Sequence, residues 1–174
     1  MPIEDHEIRL SNGPAMAAML AQNGFDRTVP DHLPDRPEEL ERRIGQHLAE
    51  ADVLILSGGV SMGKADFVPE VLSRLGVEKI FHRVRQRPGK PMWFGKGPEG
   101  QAVFALPGNP VSALVCCRQY VLPALLAASG RNPSSHNTLS VTLADDVVFM
   151  PALTCFLPVR LRPCLLYTSD AADD

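Results

Sequence analysis

The run Val53-Leu54-Ile55-Leu56 constrains the fold more than any other stretch of this chain. Four consecutive apolar residues leave neither side of an extended segment for water, so the run reads as a central parallel strand covered on both faces. A loop from Gly58 to Asp66 follows, then a helix from Phe67 to Leu75 stopped by Gly76, then a strand from Lys79 to Arg85 with Ile80, His82 and Val84 on one side. Repeated strand, loop and helix units predict an α/β fold with right-handed crossovers. Upstream, residues 14 to 23 read as a helix opened by Pro14, and a second helix starts at Pro37 with Leu40, Ile44 and Leu48 along one face.

After a Pro-Gly turn at Pro88 and Gly89, extended pieces are expected at Met92 to Gly95 and Gln101 to Leu106. A long apolar helix then runs to Ser129, with Asn109 as N-cap, Pro110 at its first position and Gly130 as its stop. Arg118, Gln119 and Pro123 interrupt it, which favours a buried helix over a membrane span. Leu139 to Val148 and Ala152 to Leu161 read as strands without a helix between them, the start of a separate β unit. With 174 residues, 45% of them hydrophobic, the chain has one full domain's worth of core-forming sequence. Asp170, Asp173 and Asp174 account for the whole net charge of -3, and the end, Pro163 to Asp174, resembles translated adapter sequence. A near-neutral total argues against a nucleic-acid surface. Acidic residues in Pro2 to Arg9, where a signal peptide would be basic, lead to the expectation of a cytoplasmic location.

Four segments carry polar chemistry. In "LSGGVSMGKADF", Ser57, Gly58, Gly59 and Ser61 stand between a strand and a helix, either as a phosphate cradle of bare backbone N–H groups or as a tight turn. The segment matches neither the dinucleotide nor the Walker pattern. Asp66 at its end is either a helix cap or a metal-side carboxylate, and Asp31 and Asp35 are expected at the same carboxyl edge of the sheet. From His82 to Pro98 there are five cations, Arg83, Arg85, Arg87, Lys90 and Lys96, and no acid, which points either to an anionic ligand or to a charged edge strand. Strand alternation would put the first three on one face, with Lys90 at the turn. Finally, "ALPGNPVSAL" brackets Gly108 and Asn109 with prolines at a second strand-to-helix junction, expected at the same edge.

Taken in order, "SNGPAMAAMLAQNG", "VLILSGGVSMGKADFVPEVLSRLG", "RPGKPMWFG" and "LPGNPVSALV" resemble the molybdopterin-binding domain of the molybdopterin molybdotransferases, the family of gephyrin's C-terminal part. The resemblance implies a three-layer α/β/α domain with a mostly parallel sheet over residues 1–135 and the start of a truncated C-terminal β domain over 136–162, while the adapter-like residues 163–174 are expected to be a non-native tail. It implies magnesium-dependent insertion of molybdate into adenylated molybdopterin with release of adenylate, in a cytoplasmic homodimer with small-molecule substrates and no nucleic-acid or membrane partner. Catalytic roles fall to Asp66, Asp35 and Lys90, with Asp66 and Asp35 on the metal. Ligand binding falls to Ser57, Gly58, Gly59, Ser61, Arg87, Pro107, Gly108, Asn109, Pro110 and Ser112. Many relatives carry Asp where Leu10 stands, Glu where Lys64 stands and Lys where Arg87 stands. The contrasting readings are a molybdopterin adenylyltransferase-like domain, a pterin-binding fragment without turnover, and a general anion-binding α/β domain.

Overall fold

A computed structural model describes residues 11–60, 67–132, 140–148 and 152–161. In chain order its elements are α1 (Asn12–Gln22), α2 (Pro37–Glu50), β1 (Val53–Ser57), α3 (Val68–Arg74), β2 (Glu78–His82), β3 (Gln86–Arg87), β4 (Trp93–Lys96) and β5 (Ala102–Leu106). Then come α4 (Pro110–Cys116), a π-helical turn (Cys117–Val121), α5 (Leu122–Ala128) and β6 (Thr154–Cys155).

The main sheet has the order β1-β5-β4-β2. β1 and β5 are parallel with Ser57 opposite Leu106, while β4 is antiparallel to both of its neighbours, so β1, β5 and β2 all point the same way. Helices cover both faces. On one, Leu40, Ile44 and Leu48 of α2 and Val71 and Leu72 of α3 meet Trp93, Val103 and Ala105. On the other, Met16 and Leu20 of α1 and Cys116, Cys117, Val121, Leu122 and Leu126 of the last helical run meet Met92, Phe104 and Leu106. Successive residues of β5 thus serve opposite cores, as the period of two demands. The three-layer α/β/α architecture expected from the sequence is present.

Local chemistry explains the elements. α2 has proline and two acids, Glu38 and Glu39, in its first turn, where unpaired N–H groups favour negative charge. The run Pro110–Ala128 is 19 residues with a mean hydropathy of 1.6, long and apolar enough by composition to cross a membrane. Its apolar stripe is instead buried in the second core. Pro123 lacks the N–H that an α-helix needs and crowds the preceding turn. The helix loosens just before it: the Leu122 N–H reaches back five residues to the Cys117 carbonyl, which is the π-turn.

Two expectations fail. β2 ends at His82 because Arg83 has a left-handed φ of 73°, so Arg83, Arg85 and Arg87 do not share a strand face. Beyond His82 a narrow arm folds on itself, with Arg83 N–H donating to Met92 O (2.7 Å) and Val84 N–H to Lys90 O (3.0 Å). Arg85 then donates from Nη2 to Ala152 O (3.1 Å), and Arg87 lies in β3, which pairs in parallel with β6. The described residues 140–148 hold no strand, and β6 is two residues long. An alternating pattern needs a partner strand to become a ladder, and among the described residues only β3 offers one.

Candidate ligand site at the carboxyl edge of the sheet

Ser57 closes β1 and Leu106 closes β5, and because these strands are parallel neighbours their following loops leave the sheet side by side. The Gly58 N–H donates to Leu106 O at 3.0 Å. Asn12, at the start of α1, completes the junction: its Nδ2 donates to Ser57 Oγ at 2.7 Å and to Gly108 O at 2.8 Å. Ser57 Oγ in turn donates to Pro107 O at 3.4 Å. Sequence reasoning missed Asn12. Nothing in its spacing marked it, since its role depends on the two oxygens it meets across the fold.

The two glycines differ. Gly58 has a φ of 96° and a Cβ there would meet nothing within 4 Å, so its bare side looks onto open space. Gly59 has a φ of 67° and its Cβ would stand 2.6 Å from Val68 Cγ2, so it is bare because α3 packs on it. In the second loop Asn109 caps α4, its Oδ1 accepting from Ser112 N–H (3.1 Å) and Ser112 Oγ (3.3 Å). Pro107 is buried, whereas Gly108, Asn109 and Pro110 are exposed. Ser61 and Asp66 lie outside the described residues, as do Leu10 and Lys64.

The arm between β2 and β4 emerges from the same edge, since Trp93 at the start of β4 lies opposite Ala105 near the end of β5. It carries exposed Arg87 and Lys90. Asp35, exposed just ahead of α2, belongs to this end of the sheet by topology, because α2 runs down into the start of β1. Asp31 does not join it. That carboxylate folds along α2 onto His47 Nε2 (2.7 Å) and Arg43 Nη2 (2.5 Å). The His47 hydrogen bond first, and then Arg43, hold its pKa down to about 2. Among the described residues no group of three or more His, Cys, Asp or Glu stands ready to hold a metal. The opposite edge of the sheet gathers Glu50, Asp52 and Glu99 around a cleft, where an anion would be repelled.

The sequence matches the family described as "Probable molybdopterin binding domain" over residues 4–127. It is similar to a "Molybdopterin molybdenumtransferase" of Synechocystis sp., 40% identical over 157 residues, covering 90% of this chain and 37% of that protein. A protein of the same name from Haemophilus influenzae is 43% identical over 99 residues, 57% of this chain and 24% of that one. The Drosophila melanogaster "Molybdenum cofactor synthesis protein cinnamon" is 37% identical over 138 residues, 78% of this chain and 23% of that one. Among solved structures, the molybdopterin biosynthesis moea protein from Pyrococcus horikosii superposes with a TM-score of 0.65 at 31% identity, covering 75% of this chain and 32% of that one. The chain thus spans well under half the length of these relatives. With the match running through β1, both edge loops and the arm beside them, this chain belongs to the molybdopterin-binding domain family.

Proposed function

We propose that the chain is the molybdopterin-binding part of a molybdopterin molybdotransferase and serves molybdenum cofactor biosynthesis in the cytoplasm, within a homodimer. The observation that carries this reading is the junction of two loops at one edge of the sheet, tied by Asn12 to Ser57 and Gly108. Backbone N–H groups beside an uncovered Gly58 suit a phosphate oxygen, and Lys90 and Arg87 supply positive charge for phosphate or molybdate at the same edge. Arg87 would grip an oxyanion with a planar fork where many relatives have a point charge. Ser57, Gly59 and Ser61 complete the first loop, and Pro107, Gly108, Asn109, Pro110 and Ser112 line the pterin side.

Asp35 and Asp66 are the acids proposed for magnesium. The described residues do not by themselves make a magnesium site. For the chain's own groups the chemistry is binding: bare backbone and cations hold the anionic end of adenylated molybdopterin while molybdate enters and adenylate leaves. Residues 1–135 form the ligand-binding domain in this proposal, 136–162 begin a C-terminal β domain, and 163–174 are a non-native tail.

Titration of molybdopterin into the chain tests the reading. Lys90→Ala should weaken binding and reduce its salt dependence, since one charge contact is removed. Parental affinity and parental salt dependence in that variant would refute it. Magnesium-dependent adenylate release by the full-length protein separates turnover from binding alone. There Asp66→Asn should abolish molybdate insertion if the carboxylate holds a hard cation, whereas a helix cap tolerates the amide.

A further inference from the structure

The arm that presents Lys90 has a buried polar interior. Gln86 is 2% exposed although its neighbours Arg85 and Arg87 face solvent. Its Nε2 donates to Pro88 O at 2.9 Å and to Cys116 Sγ at 3.6 Å, and its Oε1 accepts from the Tyr120 hydroxyl. The Cys116 thiol donates to Gly89 O at 3.7 Å. The carbonyls of the two residues before Lys90 are therefore both held by side chains, and Lys90 O itself accepts from Val84 N–H. A Cβ at Gly89 would stand 2.5 Å from Cys116 Sγ, so the helix touches the turn with no room to spare.

Cys116 and Tyr120 belong to the helical run whose first residue, Pro110, ends the second edge loop. One helical run thus bears on both Asn109, its N-cap, and Gly89, the residue before Lys90. We propose that Gln86, Tyr120 and Cys116 form a latch that positions Lys90 against the Pro107 to Pro110 loop, making them positioning residues for oxyanion binding at this edge. A packing role alone needs no polar group here. Burying an amide costs free energy unless both its ends are paired; here Nε2 reaches Pro88 O, two residues before the lysine, and Tyr120 satisfies Oε1 from the helix. Burial pushes the Cys116 thiol up to about 11 and raises the Tyr120 hydroxyl, so both remain hydrogen-bond donors through neutral pH.

The proposal rests on Lys90 as an oxyanion ligand, and the test separates the two ideas. Tyr120→Phe and Cys116→Ala are each made with and without Lys90→Ala, molybdopterin affinity is titrated, and hydrogen exchange is followed at Val84 and Met92, whose N–H groups donate to Lys90 O and Gly89 O. Each latch variant should weaken binding about 3- to 10-fold when Lys90 is present and less than about 2-fold when it is alanine, the non-additivity expected of coupled groups. Cys116→Ser, which keeps a donor, should restore affinity, and exchange at Val84 and Met92 should quicken in Tyr120→Phe. Equal weakening in both backgrounds, or unchanged exchange in Tyr120→Phe, overturns the latch. Binding indifferent to Lys90→Ala overturns the ligand role of Lys90 instead, and with it the positioning role.

Discussion

At Gly58 a Cβ would meet open space, while at Gly59 it would collide with Val68 at 2.6 Å, and both backbones have positive φ. Gly58→Ala should therefore cost only the left-handed strain, about 1 to 2 kcal/mol. Gly59→Ala adds overpacking against α3, raising the cost to about 2 to 4 kcal/mol. Urea titration of the two variants checks the order, and pterin affinity is the cleaner readout at Gly58. Asn12 is different again, since its amide nitrogen holds both loops at once. Asn12→Ala should lose about 1 to 2 kcal/mol and weaken pterin binding, and Asn12→Asp should not rescue it, because a carboxylate cannot donate to Gly108 O. Stability of the aspartate variant equal to the parent would remove Asn12 as the tie. The cysteines separate by environment too: burial pushes Cys116 and Cys117 up to about 11, while Cys155 is partly exposed. Near pH 8 only about one buried thiol in a thousand is thiolate. Iodoacetamide should label Cys155 well ahead of the buried pair, and mass-spectrometric comparison of labelling at Cys155 with that at Cys116 and Cys117 checks it.

Between elements, Asp31 ties the loop before α2 to Arg43 and His47 on that helix. Its folded pKa of about 2 is below the ordinary 3.8, so the unfolded chain takes up the proton first as pH falls. The stabilisation is complete above the ordinary value and is lost as pH drops from there through about 2. Urea midpoints across that window should fall less steeply in Asp31→Asn than in the parent, and identical slopes would show the pair to be idle. The sequence misplaced this residue because a loop acid's reach along a helix is a tertiary matter, not a spacing. Where the period of hydrophobic residues met a cap or proline, as in α2 and at Asn109-Pro110, element and boundary were legible. Arg83 hid its left-handed backbone, because nothing in a run of arginines separates a kink from an edge strand. The carboxyl-edge site was legible in its glycine and proline turns. Asn12 and Gln86 were not, because a polar residue's importance depends on which carbonyl it meets.

Over the whole molecule, every buried hydrophobic residue among those described lies between Met16 and Leu126. Both cores are therefore closed before the chain reaches its last segment, and β6 joins the rest through the arm alone in the sheet pairing. That pairing supplies Thr154 N–H to Arg85 O and Phe156 N–H to Arg87 O, both at 2.9 Å, with Arg85 Nη2 on Ala152 O. Net hydrogen bonds are worth roughly 1 kcal/mol each, and ordering an extended segment opposes them, so the segment should add no more than about 2 kcal/mol. A chain ending at Asn132 should thus unfold in one cooperative urea transition, with a stability within about 2 kcal/mol of the parent. Amides at Arg85 to Arg87 should meanwhile exchange faster, because the arm has lost the strand beside it. A broad transition, or a loss well beyond that bound, would mean that the last segment completes the core instead of bracing the arm.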